Sequence, residues 1–190
     1  MRLFIVSAIA FAAATPAAAQ TAASTNNYDG FRGEVRLGWE TPTVSGDGDV
    51  YKLGSAVSYG AEAGYDLSVG KNVTVGPYAS WEQSSVELDA DAGAGIKVGR
   101  NYQVGGRVGT GLGGVLGYVK FGYSNIKLSL TDTEIDYSDT KGGFGGGLGI
   151  EGNIGKNAYA GIEGNYSDFG KFEGINLQRR QLAGKLGFRF

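Results

Sequence analysis

The sequence predicts an all-β protein, an eight-stranded antiparallel up-and-down transmembrane β-barrel. Three observations carry that prediction. Eight stretches alternate apolar and polar residues with period 2, the signature of a strand with two unlike faces. The central part of the apolar face holds no charge, while the other face collects charges of both signs. Connections alternate long and short, with both chain ends on the short-turn side, an asymmetry that membrane barrels obey and soluble sandwiches have no reason to.

Composition narrows the field first. A chain of 190 residues, less a leader, holds one ordinary barrel or sandwich. Thirty-five glycines and eleven tyrosines beside three prolines favour many short strands over helices. There is no cysteine and no histidine, which excludes disulfides, thiol nucleophiles and imidazole chemistry. A net charge of −2 argues against nucleic acid as a partner. The start of the chain reads as a secretory signal peptide over residues 1–19: Arg2, an apolar run from Leu3 to Ala14, then Ala17-Ala18-Ala19 as the cleavage site. That run is well short of the roughly 20 residues a spanning helix needs. Removing Arg2 with the leader takes the net charge to −3. Residues 20–30 are small and polar and read as a short mobile periplasmic lead-in; residues 31–190 form the barrel domain.

The strands follow in order. Phe31 to Glu40 sets Phe31, Val35, Leu37 and Trp39 against Arg32, Glu34, Arg36 and Glu40. Pro42, Gly46 and Gly48 mark Thr41 to Gly54 as a long loop. Ser55 to Leu67 alternates Val57, Tyr59, Ala61, Ala63, Tyr65 and Leu67 with Ser58, Gly60, Glu62, Gly64 and Asp66, and Ser68 to Asn72 is a short turn. Val73 to Val86 sets Val73, Val75, Ala79 and Trp81 against Thr74, Tyr78, Ser80 and Glu82. Pro77 within it is a blemish, since proline cannot donate to a ladder and prefers edges or bulges. Glu87 to Gly99 is a second long loop. Arg100 to Lys127 is two alternating runs hinged on Gly113-Gly114, the signature of a two-residue hairpin turn. That turn would set Leu112 against Val115, Val108 against Val119, Val104 against Tyr123, and Arg107 against Lys120. Leu128 to Thr140 is an acidic third loop. Lys141 to Gly152 and Ala158 to Ser167 flank a short turn at Asn153 to Asn157, and Asp168 to Asn176 is the fourth long loop. Leu177 to Phe190 closes the chain.

The polar faces gather Glu34, Glu40, Glu62, Asp66, Glu82, Glu151 and Glu163 with Arg32, Arg36, Arg107, Lys120, Arg179, Lys185 and Arg189. Seven charges of each sign on one face suit the inside of a membrane barrel, whose outside must stay clean because a lipid-facing charge at mid-bilayer costs about 2–4 kcal/mol. The competing reading is a lipocalin-like soluble barrel that carries a ligand on the apolar face, also with eight strands. Leader, loop asymmetry and chain end favour the membrane. An eight-stranded barrel is just wide enough inside for side chains to fill, so the balanced set is expected to form a salt-bridged plug, with a small or gated pore as the alternative. Arg107 and Lys120 would repel without acids between them; Glu82 and Glu151 are the nearest candidates.

Arg100, Lys127 and Arg180 point outward at the loop end, where charged tips reach lipid head groups. Arg100 and Lys127 are expected to pair directly, and two opposed cations suit a bridging polyanion such as lipopolysaccharide phosphate. The four long loops carry eleven acids and only Lys52, Lys97 and Lys171. Their clusters, Asp47-Gly48-Asp49, Asp89-Ala90-Asp91 and Asp132 to Asp139, match no EF-hand, so neither a metal nor a cofactor is expected.

Leu186, Phe188 and the final residue Phe190 alternate at the end of the chain. This resembles the C-terminal signal of bacterial outer-membrane barrels that the barrel-assembly machinery reads. Together with the leader and eight strands, the mature chain resembles the small outer-membrane β-barrel superfamily of opacity proteins and the OmpA transmembrane domain. The resemblance implies residence in the outer membrane with periplasmic termini and extracellular loops, and a structural, envelope-integrity or adhesion role toward host or neighbouring-cell surfaces. It departs from full-length OmpA in having no peptidoglycan-binding domain, so no cell-wall tether is implied. Enzymes of this architecture work through an essential histidine, which is absent here, so the chain is expected to be non-enzymatic.

Overall fold

A computed structural model describes residues 28–46, 49–52, 54–85, 87–89, 95–131, 136–172 and 175–190. Its strands are β1 (Gly30–Gly46), β2 (Asp49–Lys52), β3 (Ala56–Val69), β4 (Val73–Ser84), β5 (Glu87–Asp89), β6 (Gly95–Gly111), β7 (Val115–Thr131), β8 (Asp136–Asn153), β9 (Ala158–Phe172) and β10 (Ile175–Arg189). Eight of them make the wall, each antiparallel to its sequence neighbour, while β2 and β5 are short pieces paired to the outer ends of β1 and β6. The sheet closes because β1 pairs with β3 on one side and β10 on the other, from Arg32↔Arg189 to Ser45↔Asn176. Phe31 and Phe190 complete the seam by exchanging backbone hydrogen bonds of 3.1 and 2.8 Å. Among the described residues the eight-stranded wall is thus closed without a free edge, the condition for a sheet to sit in lipid.

The hairpin of β6 and β7 has the register its sequence predicts. Val108 faces Val119, Val104 faces Tyr123 and Arg107 faces Lys120. Gly113 and Gly114 take φ of 63° and 112°, which side chains resist, and the Leu112 amide donates to the Val115 carbonyl at 2.7 Å across them.

The two faces are inverted relative to a soluble protein. Val35 is 64% exposed and Leu148 69%, whereas Arg32 and Glu40 are fully buried. A soluble lipocalin-like carrier needs the opposite arrangement. Near the loop end the outer wall carries an aromatic girdle, one exposed residue on each of seven strands: Trp39, Tyr59, Trp81, Tyr102, Tyr123, Phe144 and Tyr166. Trp81 pairs with Tyr102 and Tyr123 with Phe144, while the Tyr59 and Trp81 rings meet edge-on at 6.5 Å. Amphipathic rings at that level suit the membrane–water boundary. On β10 the position beside Tyr166 holds Arg180 instead.

The structure departs from expectation in four places. Strands run past the predicted limits into all four long connections: β1 extends to Gly46, β6 begins at Gly95, β8 at Asp136, and β9 reaches Phe172. Residues such as Thr41 to Gly46 lack hydrophobic alternation, but their backbone pairs with strands already fixed below. Arg100 and Lys127 are not directly paired. The β6–β7 register shifts between Val98 and Asn101, so Gly99 and Arg100 together oppose Lys127, a bulge that only pairing geometry reveals. Pro77 sits outward in β4 without a bulge: the β3–β4 register is the same on both sides of it, and the ladder omits the rows at Tyr65 and Asp66. The end of the lead-in is also not loose. Tyr28 is buried under the tight-turn end of the barrel and Asp29 accepts the Ser68 amide at 3.2 Å. The predicted leader and residues 20–27 lie outside the described residues.

Candidate functional site

The lumen is the most organised feature of the molecule. Alternation on closed strands turns every second side chain inward, and all fourteen charged residues of the polar face are buried there. Gly64 shows how so much length fits: a Cβ added to it would lie 2.8 Å from the Arg32 Nη2, so the missing side chain is the space that the guanidinium occupies.

At the tight-turn end, Asp66 accepts from Arg107 Nε at 2.8 Å and Arg189 Nη2 at 3.3 Å. Glu151 accepts from Arg107 at 3.2 Å, Lys185 at 2.7 Å and Arg189 at 2.5 Å. The Arg189 guanidinium also lies 5.6 Å from the Tyr28 ring, which caps this end. Burial pushes the Tyr28 phenol above its ordinary pKa, and Arg189 draws it part of the way back.

In the middle layer, Arg32 lies 2.7 Å from Glu62 and 3.4 Å from both Glu34 and Asp66. Arg36 reaches four carboxylates: Glu62 at 2.8 Å, Glu82 at 3.1 Å, Glu34 at 3.3 Å, and Glu163. Lys120 pairs with Glu163 at 2.6 Å and Glu62 at 2.9 Å, and Lys185 joins Glu34 at 3.2 Å. Toward the loops, Arg179 binds Glu82 at 2.8 Å and Glu40 through Nε at 2.6 Å, and Glu40 also accepts from Ser84. The fourteen groups thus form one connected, charge-balanced network from Arg189 to Glu40.

Arg107 and Lys120 escape repulsion by leaning apart, Arg107 to Asp66 and Glu151, Lys120 to Glu62 and Glu163. Glu151 therefore fills its expected place and Glu82 does not. Glu82 serves Arg36 and Arg179 instead, because Lys120 projects across the lumen to β3 and β9.

The tyrosines are the lumen residues that a search for charges passes over. Tyr118 donates to Glu163 at 2.6 Å and Tyr159 to Glu34 at 2.7 Å. Their rings also lie against cations: Lys185 is 4.4 Å from the Tyr118 ring, Arg189 4.9 Å from that of Tyr159, and Lys120 4.8 Å from that of Tyr78. All three share the charged parity, so alternation alone places them inside. Tyr159→Phe keeps the ring and removes one hydrogen bond to a buried carboxylate. It is expected to cost about 1.5–3 kcal/mol in urea unfolding followed by Trp39 and Trp81 fluorescence.

Arg100 and Arg180 are exposed and Lys127 half-buried, all three on the outer wall. Arg100 lies over the Tyr102 ring at 5.5 Å. Leu186, Phe188 and Phe190 are exposed along the closing seam, with Leu186 beside Val35 and Phe188 beside Gly33. Among the described residues no group of three or more acids is placed to hold a metal ion, and the acidic loop clusters lie outside those whose side chains are described.

A family model for the outer membrane protein beta-barrel domain matches residues 5–190. Among solved structures, the fold is similar to that of Ail, the attachment invasion locus protein of Yersinia pestis, in complex with the heparin analogue sucrose octasulfate. That likeness has 18% identity, covers 85% of this chain and 99% of the other, and has a TM-score of 0.56. Neisserial surface protein A (NspA) is similar at 15% identity, over 83% of this chain and 97% of the other, with a TM-score of 0.54. At such identities the likeness is one of fold. No curated protein matches the sequence. With a wall that closes in eight strands and keeps its apolar side outward, the chain belongs to the outer membrane protein beta-barrel domain family, whose place is the bacterial outer membrane.

Proposed function

We propose that this protein is a closed, non-conducting barrel that serves the envelope as a fixed scaffold and presents acidic loops for a structural or adhesive role. The filled lumen carries the reading: a barrel whose interior is taken up by interlocked ion pairs has only its surfaces left to work with. Both termini and the tight turns face the periplasm, and the long connections face outward, in keeping with the pattern of such barrels. Leu186, Phe188 and Phe190 serve as the signal for the barrel-assembly machinery, and Arg100, Lys127 and Arg180 meet lipopolysaccharide or other anionic lipid at the rim. No catalytic role is proposed, since neither histidine nor cysteine is present to activate a nucleophile.

Ail was crystallised with a polysulfated ligand. Eleven acids against three bases in the loops of this chain oppose such a ligand and favour a cationic one. Cells with and without the protein, laid on polylysine-coated and heparin-coated surfaces, test this. Expression is expected to raise attachment to polylysine in a salt-sensitive way and to leave heparin attachment unchanged. Equal attachment of both cell types to polylysine would remove the adhesive part, and unchanged detergent resistance would remove the envelope part.

A further inference from the structure

The outer wall has one region where the girdle and the apolar belt fail together. Seven wall strands place an aromatic residue at the loop-end boundary, and β10 places Arg180 there, with Tyr166 on one side and Thr41 on the other. Gly146 of β8 lies on the far side of Tyr166, and in the row beneath, Gly164 of β9 lies between Leu182 and Leu148. A groove of about 730 Å³ results, open to the outside, with Leu148 and Leu182 on its walls and Trp39, Tyr166 and Arg180 around its upper end.

Neither glycine has a positive φ, but at Gly146 an added Cβ would lie 2.9 Å from the Lys120 carbonyl oxygen, so close strand approach accounts for that one. At Gly164 an added Cβ would meet nothing within 4 Å, so the missing side chain relieves no crowding. What its absence provides is recessed space on a surface where neighbouring strands project Leu, Ile and Phe. Arg180 is exposed, and among the described residues no carboxylate pairs with it. A cation at the head-group level above a recessed apolar groove complements a molecule with an anionic head and a hydrocarbon tail.

The geometry points to a lipid site on this face: one acyl chain of lipid A lies in the groove over Gly146 and Gly164, and its phosphate is held by Arg180. Lipid A is the phosphate-bearing acyl lipid of the leaflet that the loop end enters, so the assignment rests on the outward orientation of the loops proposed above. It does not depend on adhesion. Guanidinium suits the phosphate because it presents a planar fork of donors, and Leu148 and Leu182 gain apolar contact along the tail.

Native mass spectrometry of the full chain, folded in detergent, would test the site with hexa-acylated diphosphoryl lipid A as the probe. Dephosphorylated lipid A, phosphatidylglycerol and inorganic phosphate form the comparison arms. One lipid A per barrel is expected, with at least fivefold weaker retention of the other three. Arg180→Ala is expected to weaken lipid A about fivefold. Gly164→Leu, which fills the groove and leaves the charge in place, is expected to weaken it about tenfold. Gly33→Leu makes the same change at another open outward glycine, near Phe188, and is expected to change nothing. Heat-modifiable migration in gels verifies that each variant is folded, so lost binding is not mistaken for a lost barrel. Wild-type retention in both Arg180→Ala and Gly164→Leu overturns the site. Equal retention of phosphatidylglycerol overturns the assignment to lipid A, and binding of inorganic phosphate alone overturns the role of the groove.

Discussion

Replacing Arg36 with alanine is expected to destabilise the barrel by about 3–5 kcal/mol, the range for removing one partner from a buried ion pair. Arg36 sits among Glu34, Glu62, Glu82 and Glu163, drawn from four different strands. Without it, seven buried carboxylates face six buried cations, and water cannot reach the surplus charge at low cost. The loss should show as a lower urea midpoint in micelles with the folded form still visible by its gel mobility. Neutralising both sides, as in Arg36→Met with Glu163→Gln, should cost less than the sum of the two single changes, because the pair no longer leaves an orphan. Additive costs would mean that the two groups do not interact, and a change below about 1 kcal/mol for Arg36→Ala would place the network outside the folding energetics.

Val35→Arg tests the other face. Val35 lies four residues from Phe31 at the tight-turn end of β1 and four from Trp39 in the girdle, at the middle of the apolar belt. An arginine there must snorkel or thin the bilayer, and the expected cost is about 2–4 kcal/mol in vesicles. Thr110→Arg, near the tight-turn end of β6, should cost about 0–1 kcal/mol. Equal costs at the two depths would contradict the placement of the membrane along the wall.

Sequence carries much of this fold because both sides of the wall are written in a period of two. Phe31 to Glu40 announces its strand and its two faces without help, and Gly113-Gly114 sets a register that places Arg107 opposite Lys120. Where polarity stops alternating, the signal stops too. Thr41 to Gly46 is strand only because β10 and β2 lie beside it, and Arg100 loses Lys127 to a bulge that no parity rule foretells. The lumen was legible as a set of residues but not as a set of pairs. Parity assigns Glu82 to the interior, yet whether it meets Lys120 or Arg179 depends on how far each chain reaches across the barrel. Tyr28 left no trace, since a single aromatic in a polar lead-in has no period to betray it.

A lumen packed with interlocked ion pairs leaves no path for ions. Single-channel recording of the purified protein in planar bilayers tests whether the barrel is closed. No steady current above that of the bare membrane is expected, at voltages where the barrel stays folded. A stable, well-defined conductance step would show an open lumen and rule out the salt-bridged plug.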